Sequence, residues 1–208
     1  MTQMDGSKYE GDFIDDMCHG KGTLNYANGD SYTGDWFQDR KHGQGKYIHA
    51  NGVKYTGSWV DGKETGLGRN EWPNGSWYEG QYDQGYQHGK GKLKYANGAI
   101  YEGDFHYNKI QGHGVYTQAN SKKYTGDWLN NKMHGKGHMI FSDGKQYIGD
   151  FECDVRHGKG KFMWTDGRVY EGGWVSGKQF GEGEYTDKHG TKRRGLWVDG
   201  KREKWLDE

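Results

Sequence analysis

Proline is almost missing from this sequence: Pro73 is the single one in 208 residues. That excludes a Pro-rich linker, and the 38 glycines follow no collagen period. Aliphatic side chains are scarce too, hydrophobic residues of every kind reaching only 31%. So polar a chain would point to disorder, but 15% aromatic residues point the other way, because disordered chains are poor in rings. The apolar material is concentrated in Tyr, Trp and Phe. Excess charge is also lacking, with 29 basic residues against 29 acidic. This removes the basic surplus of nucleic-acid binders and weakens the argument for an anionic membrane surface. No apolar run reaches the roughly 18 residues that a membrane helix needs. The first 23 residues start acidic and have no apolar h-region, so no signal peptide is expected. Cysteines number two, Cys18 and Cys153, nearly six repeats of the pattern below apart. At about 4.8 Å per strand a straight array would hold them on the order of 50 Å apart, too far for a disulfide. Unpaired cysteines fit a reducing, cytoplasmic setting.

What is present is a repeat. Tyr9, Tyr32, Tyr55, Tyr78, Tyr101, Tyr124, Tyr147 and Tyr170 stand 23 residues apart. Two residues after each comes a glycine, from Gly11 to Gly172, and two further on an aromatic: Phe13, Trp36, Trp59, Tyr82, Phe105, Trp128, Phe151, Trp174. Arg193-Arg194-Gly195-Leu196-Trp197 is a ninth copy without its tyrosine. A period of this length defines an array of stacked units. Between the copies recurs a second motif, His19-Gly20-Lys21-Gly22, His42-Gly43-Gln44-Gly45 and onward, followed by a strand-like run and a turn such as Asn28-Gly29. Each unit therefore reads as a β-hairpin.

The turn decides which side chains share a face. A two-residue Asn-Gly loop puts Leu24 and Tyr32 on opposite faces, whereas a three-residue loop, Ala27-Asn28-Gly29, pairs them. Pro73 decides for the latter: ahead of Asn74-Gly75 it falls where its fixed φ suits a type I turn, and not in a ladder position. Gly22, Leu24, Tyr26, Tyr32, Gly34 and Trp36 then share one face, and facing glycines form a bare floor over which rings can lie. On the other face Arg69 opposes Glu79, Lys90 Asp104, Lys92 Glu102, Lys136 Asp150 and Lys161 Glu171. Such cross-strand pairs contribute about 0.2–1 kcal/mol each. Hairpins are joined by turns such as Phe37-Gln38-Asp39-Arg40-Lys41, whose third residue is always Asp, Asn or Gly, the types that tolerate a left-handed backbone.

Tyr-x-Gly-x-Trp followed by x-His-Gly-x-Gly on this period resembles the MORN repeat. The resemblance covers essentially the whole chain, 1–208, as a single array of eight full repeats with a truncated ninth as a cap from about 193. Thr65, Gln111, Phe180, Asn120-Ser121 and Arg193 depart from it. The fold expected is all-β: an elongated single-layer antiparallel sheet of stacked 23-residue hairpins. The resemblance implies a scaffold role of the kind found in radial-spoke heads of cilia, protist cytoskeletal rings, myosin-binding adaptors and junctional membrane proteins. Where such repeats accompany a catalytic domain, as in lipid kinases, that domain lies outside them, and here no residues are left over for one.

The chemistry-bearing residues read as structural. His19, His42, His88, His134 and His157 recur about 10 Å apart, too far to share a zinc ion. There is no Gly-x-Gly-x-x-Gly and no phosphate-loop lysine motif, and Cys18 beside His19 lacks a third group. No enzyme activity, cofactor, metal or nucleic-acid partner is expected. Expected instead is a partner-binding aromatic groove of semi-exposed rings at Tyr32, Trp36, Tyr55, Trp59, Tyr78, Tyr82, Tyr101, Phe105, Tyr124 and Trp128. A second candidate is an apolar patch on the polar face from Ile140, Ile148, Met163 and Val169. The termini differ in charge: residues 1–18 carry five acids against Lys8, and residues 188–208 seven bases against four acids. Open sheet edges of opposite charge suggest self-association. Arg193, Arg194 and Arg202 form a candidate basic end for phosphoinositide or other anionic lipid. The expected role is a scaffold binding other proteins in a ciliary or cytoskeletal assembly, with a lipid-surface adaptor as the alternative and a glycan reader as a third.

Overall fold

The structure, a computed structural model, describes residue 2 and residues 4–207. Among them every regular element is a strand, and paired strands run antiparallel. The chain divides into two compact units, Met1–Lys109 and Ile110–Glu208. The first holds β1 (Lys8–Ile14), β2 (Met17–Asn25), β3 (Ser31–Phe37), β4 (Arg40–Ile48), β5 (Lys54–Val60), β6 (Lys63–Glu71), β7 (Trp77–Asp83), β8 (Tyr86–Lys94) and β9 (Ile100–His106). The second holds β10 (Lys109–Thr117), β11 (Lys123–Leu129), β12 (Lys132–Ile140), β13 (Gln146–Glu152), β14 (Val155–Met163), β15 (Val169–Val175), β16 (Lys178–Thr186), β17 (Lys192–Val198) and β18 (Lys201–Trp205). Within each unit every strand pairs with the next in sequence, so the topology is a meander of hairpins.

The register is the one that Pro73 implied. Leu24 faces Tyr32 and Gly22 faces Gly34. Tyr26 N–H donates to Asp30 O at 2.9 Å and Gly29 N–H to Tyr26 O at 3.0 Å, which closes the three-residue loop with Gly29 at φ +90°. Around Pro73 the same pair of bonds runs from Trp72 and Gly75, and proline occupies the place that donates none. The loop asparagine braces the strand that follows it. Asn28 Oδ1 accepts from Asp30 N at 3.0 Å, and Asn74 Oδ1 from Ser76 N at 3.0 Å. The five predicted charge pairs are all in contact, Arg69–Glu79 at 2.7 Å and Lys161–Glu171 at 3.4 Å among them. Exposed as they are, they add little to stability.

The glycine floor is forced by contact. A Cβ added at Gly34 would meet Gly45 Cα at 2.5 Å, and one added at Gly45 would run into Tyr32 Oη. Tyr32 lies across both and donates from Oη to Asp35 O at 2.9 Å. Burial pushes its hydroxyl above the ordinary tyrosine range. Within the units a tyrosine meets two rings edge-on, its own repeat's and the next one's: Tyr32 with Trp36 at 5.1 Å and Trp59 at 5.3 Å, Tyr147 with Phe151 and Trp174 at 5.1 Å each. The core is this zipper of T-shaped rings, the geometry that the ring quadrupole favours.

Two features go beyond the sequence reading. The turns between hairpins are left-handed at both central residues, Gln38 at φ +47° and Asp39 at φ +63°, not at the second alone. This is the two-residue turn whose twist matches its flanking strands. The second is a bulge. Pairing of β3 with β4 jumps from Gly34–Gly45 to Asp35–His42, leaving Gly43 and Gln44 as the extra residues. Gly43 takes φ +58°, and Asp35 Oδ2 accepts the Gln44 N–H at 2.7 Å. The His-Gly-x-Gly motif thus encodes a left-handed bulge residue followed by a floor residue.

Candidate functional site

The ring-bearing face of each unit has two levels. The lower level contains all ten residues of the expected groove. Tyr32, Tyr55, Tyr78 and Tyr101 are 0% exposed, Tyr124 1%, and Trp36, Trp59, Tyr82, Phe105 and Trp128 between 4% and 8%. The expectation of semi-exposed rings is corrected here: these side chains are the core, roofed by their neighbours' edges, and the three tryptophans and the tyrosines of the floor are also anchored to backbone. Trp36 Nε1 donates to Gly22 O at 3.1 Å, and Trp59 Nε1 to Gly45 O at 3.3 Å.

The upper level, half-buried, is what solvent meets. In unit 1 it includes Tyr26, Tyr47, Trp72 and Tyr95. In unit 2 it forms a continuous path of rings. Phe141 meets the buried Phe162 at 5.9 Å, Phe162 meets Trp164 at 4.7 Å, Trp164 meets Tyr185 at 6.4 Å, and Tyr185 meets Trp205 at 6.2 Å. Arginines lie along these rings: Arg156 over Phe162 at 5.3 Å and over the buried Trp174 beside it at 4.4 Å, Arg168 over Trp164 at 5.4 Å, Arg193 and Arg202 over Trp205 at 4.9 and 4.1 Å. Such stacking holds a guanidinium in place while leaving donors for other partners. The sequence carried the signal for this level in the residues just before each three-residue loop, Tyr26, Trp72, Tyr95, Phe141 and Trp164.

Among the open depressions of this face are two with matching walls. One, of about 350 Å³, is lined by Lys41, Tyr47, His49, Trp59, Gly62, Lys63, Glu64 and Gly85. The other, of about 290 Å³, is lined by Lys145, Arg156, Phe162, Trp164, Trp174, Gly177, Lys178, Gln179 and Gly200. In the first, Lys41 Nζ stands 4.5 Å from the Tyr47 ring and 4.6 Å from the Trp59 ring, and burial holds its amine below the ordinary range. Burial also pushes the Glu64 carboxyl up to about 7, against the pull of Lys41. A carboxyl raised in the folded state binds its proton more tightly folded than unfolded. Its burden is therefore absent below its ordinary value near 4.5, grows as pH rises toward about 7, and is complete above that. Glu64→Gln is accordingly expected to gain on the native chain in thermal unfolding between pH 5 and pH 8. A constant difference between the two would contradict this placement of Glu64.

The polar-face patch is a partial cluster. Met163 faces Val169 directly, Ile140 shares their row with Gln146 between, and Ile148 lies in the next row between His138 and Lys161. Ile148 is 47% exposed and edges a broad depression of about 680 Å³ with Lys161, Glu171, Glu182, Glu184 and Arg194 among its walls. The three terminal arginines are not one patch. Arg193 and Arg202 lie on the aromatic face, whereas Arg194 faces the other way and bonds Glu182 at 2.8 Å. The ninth copy completes a hairpin, β17–β18, that seats Trp205 against Trp197 at 6.3 Å. Among the described residues no three His, Cys, Asp or Glu side chains converge as for a metal ion. Both cysteines are free: Cys18 is buried, with its thiol pushed up to about 11, and Cys153 is exposed.

A stack of 23-residue hairpins, each with tyrosine laid over paired glycines, defines a class of β-repeat scaffold. The chain belongs to the MORN repeat family, whose model matches residues 9–31, 32–54, 55–77, 78–100, 101–123, 124–146, 147–167 and 170–192. A search of curated protein sequences finds no match. Among solved structures the fold is similar to the TCP10 domain of Danio rerio CPAP in complex with a peptide of Danio rerio STIL. That likeness has a TM-score of 0.57 at 15% identity and covers 99% of this chain and 91% of that one. The same domain without the peptide gives 0.53 at 15% identity, covering 99% and 98%. The G-box domain of the microcephaly protein CPAP, from a study suggesting a role in centriole elongation, gives 0.50 at 12%, covering 95% and 97%.

Proposed function

We propose that this protein is a non-catalytic scaffold whose aromatic face holds an extended segment of a partner protein within a cytoskeletal assembly, ciliary or axonemal in the reading nearest the radial-spoke MORN proteins. The observation that carries it is the path of half-buried rings Phe141, Trp164, Tyr185 and Trp205 with arginines stacked along it. Large rings that retain exposed faces above a rigid core are the raw material of binding hot spots. Family membership supports a scaffold, and a similar fold has been solved with a peptide bound, in CPAP, whose G-box domain is suggested to have a role in centriole elongation. The buried rings, Tyr32 through Trp128, serve this reading as the base that fixes the upper level. Ile140, Ile148, Met163 and Val169 offer a second protein surface on the opposite face, and the open terminal edges a route to self-association. Dispersal of Arg193, Arg194 and Arg202 over two faces makes the anionic-lipid reading the weaker one.

The test is affinity capture from a cytoskeletal extract with the native chain, a Trp164→Ser/Tyr185→Ser pair and an Ile148→Ser/Val169→Ser pair. Partners should be lost with the first pair and kept with the second. Capture unaffected by the first pair would refute the aromatic face as the docking surface.

A further inference from the structure

The two depressions on the aromatic face are one site written twice. Lys41, Trp59 and Glu64 of the first stand five repeats before Arg156, Trp174 and Gln179 of the second. The turns explain why they open where they do. At Asp39, Asn108, Asn131 and Asp154 the turn side chain folds over the preceding hairpin and accepts the backbone N–H of the residue 21 positions earlier. Two successive turns carry glycine instead at Gly62 and Gly85, and again at Gly177 and Gly200. Without a side chain there the surface stays open, and the residue 21 positions before the first glycine of each pair is a cation lying on a tryptophan.

The two sites differ in one group that matters chemically. In unit 1, Glu64 stands in the depression with Lys41 and supplies a carboxyl group from within. In unit 2 that place belongs to Gln179, and among the described residues no carboxylate pairs with Arg156, whose Nη2 donates to Gly177 O at 2.7 Å. The neighbouring Lys145 and Lys178 are held by Asp143 at 2.8 Å and Asp199 at 2.5 Å.

We propose that the Arg156 depression receives a carboxylate side chain from an extended acidic segment of a partner protein. The planar guanidinium, fixed on Trp174, keeps donors whose fork matches a carboxylate. The incoming group takes the place that Glu64 holds in unit 1, while Phe162 and Trp164 contact the apolar side chains beside it. This deepens the partner-binding reading above and rests on it.

The experiment selects random twelve-residue phage-displayed peptides on the full chain, then titrates the synthetic winners against variants. Recovered peptides should carry Asp or Glu between apolar residues. Gln179→Glu installs the carboxylate that the equivalent place in unit 1 already accommodates, so it should fold and weaken these peptides roughly tenfold or more. Arg156→Gln should do the same, and replacing the peptide's acid by its amide should cost affinity on the native chain but not on Arg156→Gln. Peptides that bind without an acid, or equally to native and Gln179→Glu, would overturn the carboxylate site and leave the partner-binding reading standing. Displacement of the peptides by phosphatidylserine vesicles through Arg156 would also overturn it, assigning the site to a membrane. No peptide above background on any variant would count against both.

Discussion

Gly57→Ala is expected to unfold the β5–β6 region at conditions where the native chain is intact, at a cost on the order of 3 kcal/mol. The added methyl carbon would meet Gly68 Cα at 2.5 Å and Leu67 O at 2.7 Å, both backbone atoms of the paired strand, with Tyr55 Oη at 2.6 Å from the other side. No rotamer relieves such a clash, since the strands themselves must part. Thr56→Ala, one residue away on the exposed opposite face, should change stability by no more than about 0.5 kcal/mol. Urea titration followed by tryptophan fluorescence, with hydrogen exchange to locate the loss, reads both. Equal stability of the two variants would mean that the glycine floor is a preference and not a requirement.

The second large effect concerns the zipper. Trp59→Ala removes a ring that meets Tyr32 at 5.3 Å and Tyr55 at 5.1 Å, and should cost about 3–5 kcal/mol. Trp128→Ala, which strips Tyr124 of one of its two ring partners, at 5.3 Å, belongs to the same range. Trp59→Phe keeps a ring of the kind found at Phe105 and Phe151 but leaves Gly45 O without the indole donor, a loss of about 1 kcal/mol. The order native, then Phe, then Ala in hydrogen-exchange protection of β4 and β5 is the expected result. If Trp59→Ala impaired partner binding and left that protection unchanged, the ring would be a contact residue after all.

Much of this was legible in the residues. The period gave the hairpin, and Pro73 chose between two registers that differ in every inward side chain. The charge pairs followed from that choice alone. Exposure was harder to read: a ring two residues from a glycine sits over the floor and is roofed by the next hairpin, so Tyr32 and Trp59 are buried. The residues before the loop lack such a roof, and the half-buried Trp164 is the example in unit 2. Strand alternation assigns a face, but depth depends on which neighbour lies above. The bulge hid behind Asp35, whose side chain bonds backbone nine residues on, at Gln44. A carboxylate next to a glycine looks like surface charge until that bond is seen.

Which face a partner covers is the question on which the functional account turns, and hydroxyl-radical footprinting of the full chain with and without a bound partner segment answers it directly. Protection of Trp164, Tyr185 and Trp205 with unchanged oxidation of Ile148 and Met163 is the predicted outcome. Protection of Ile148 and Met163 with the three rings still reactive would place the partner on the charged side of the sheet and contradict it.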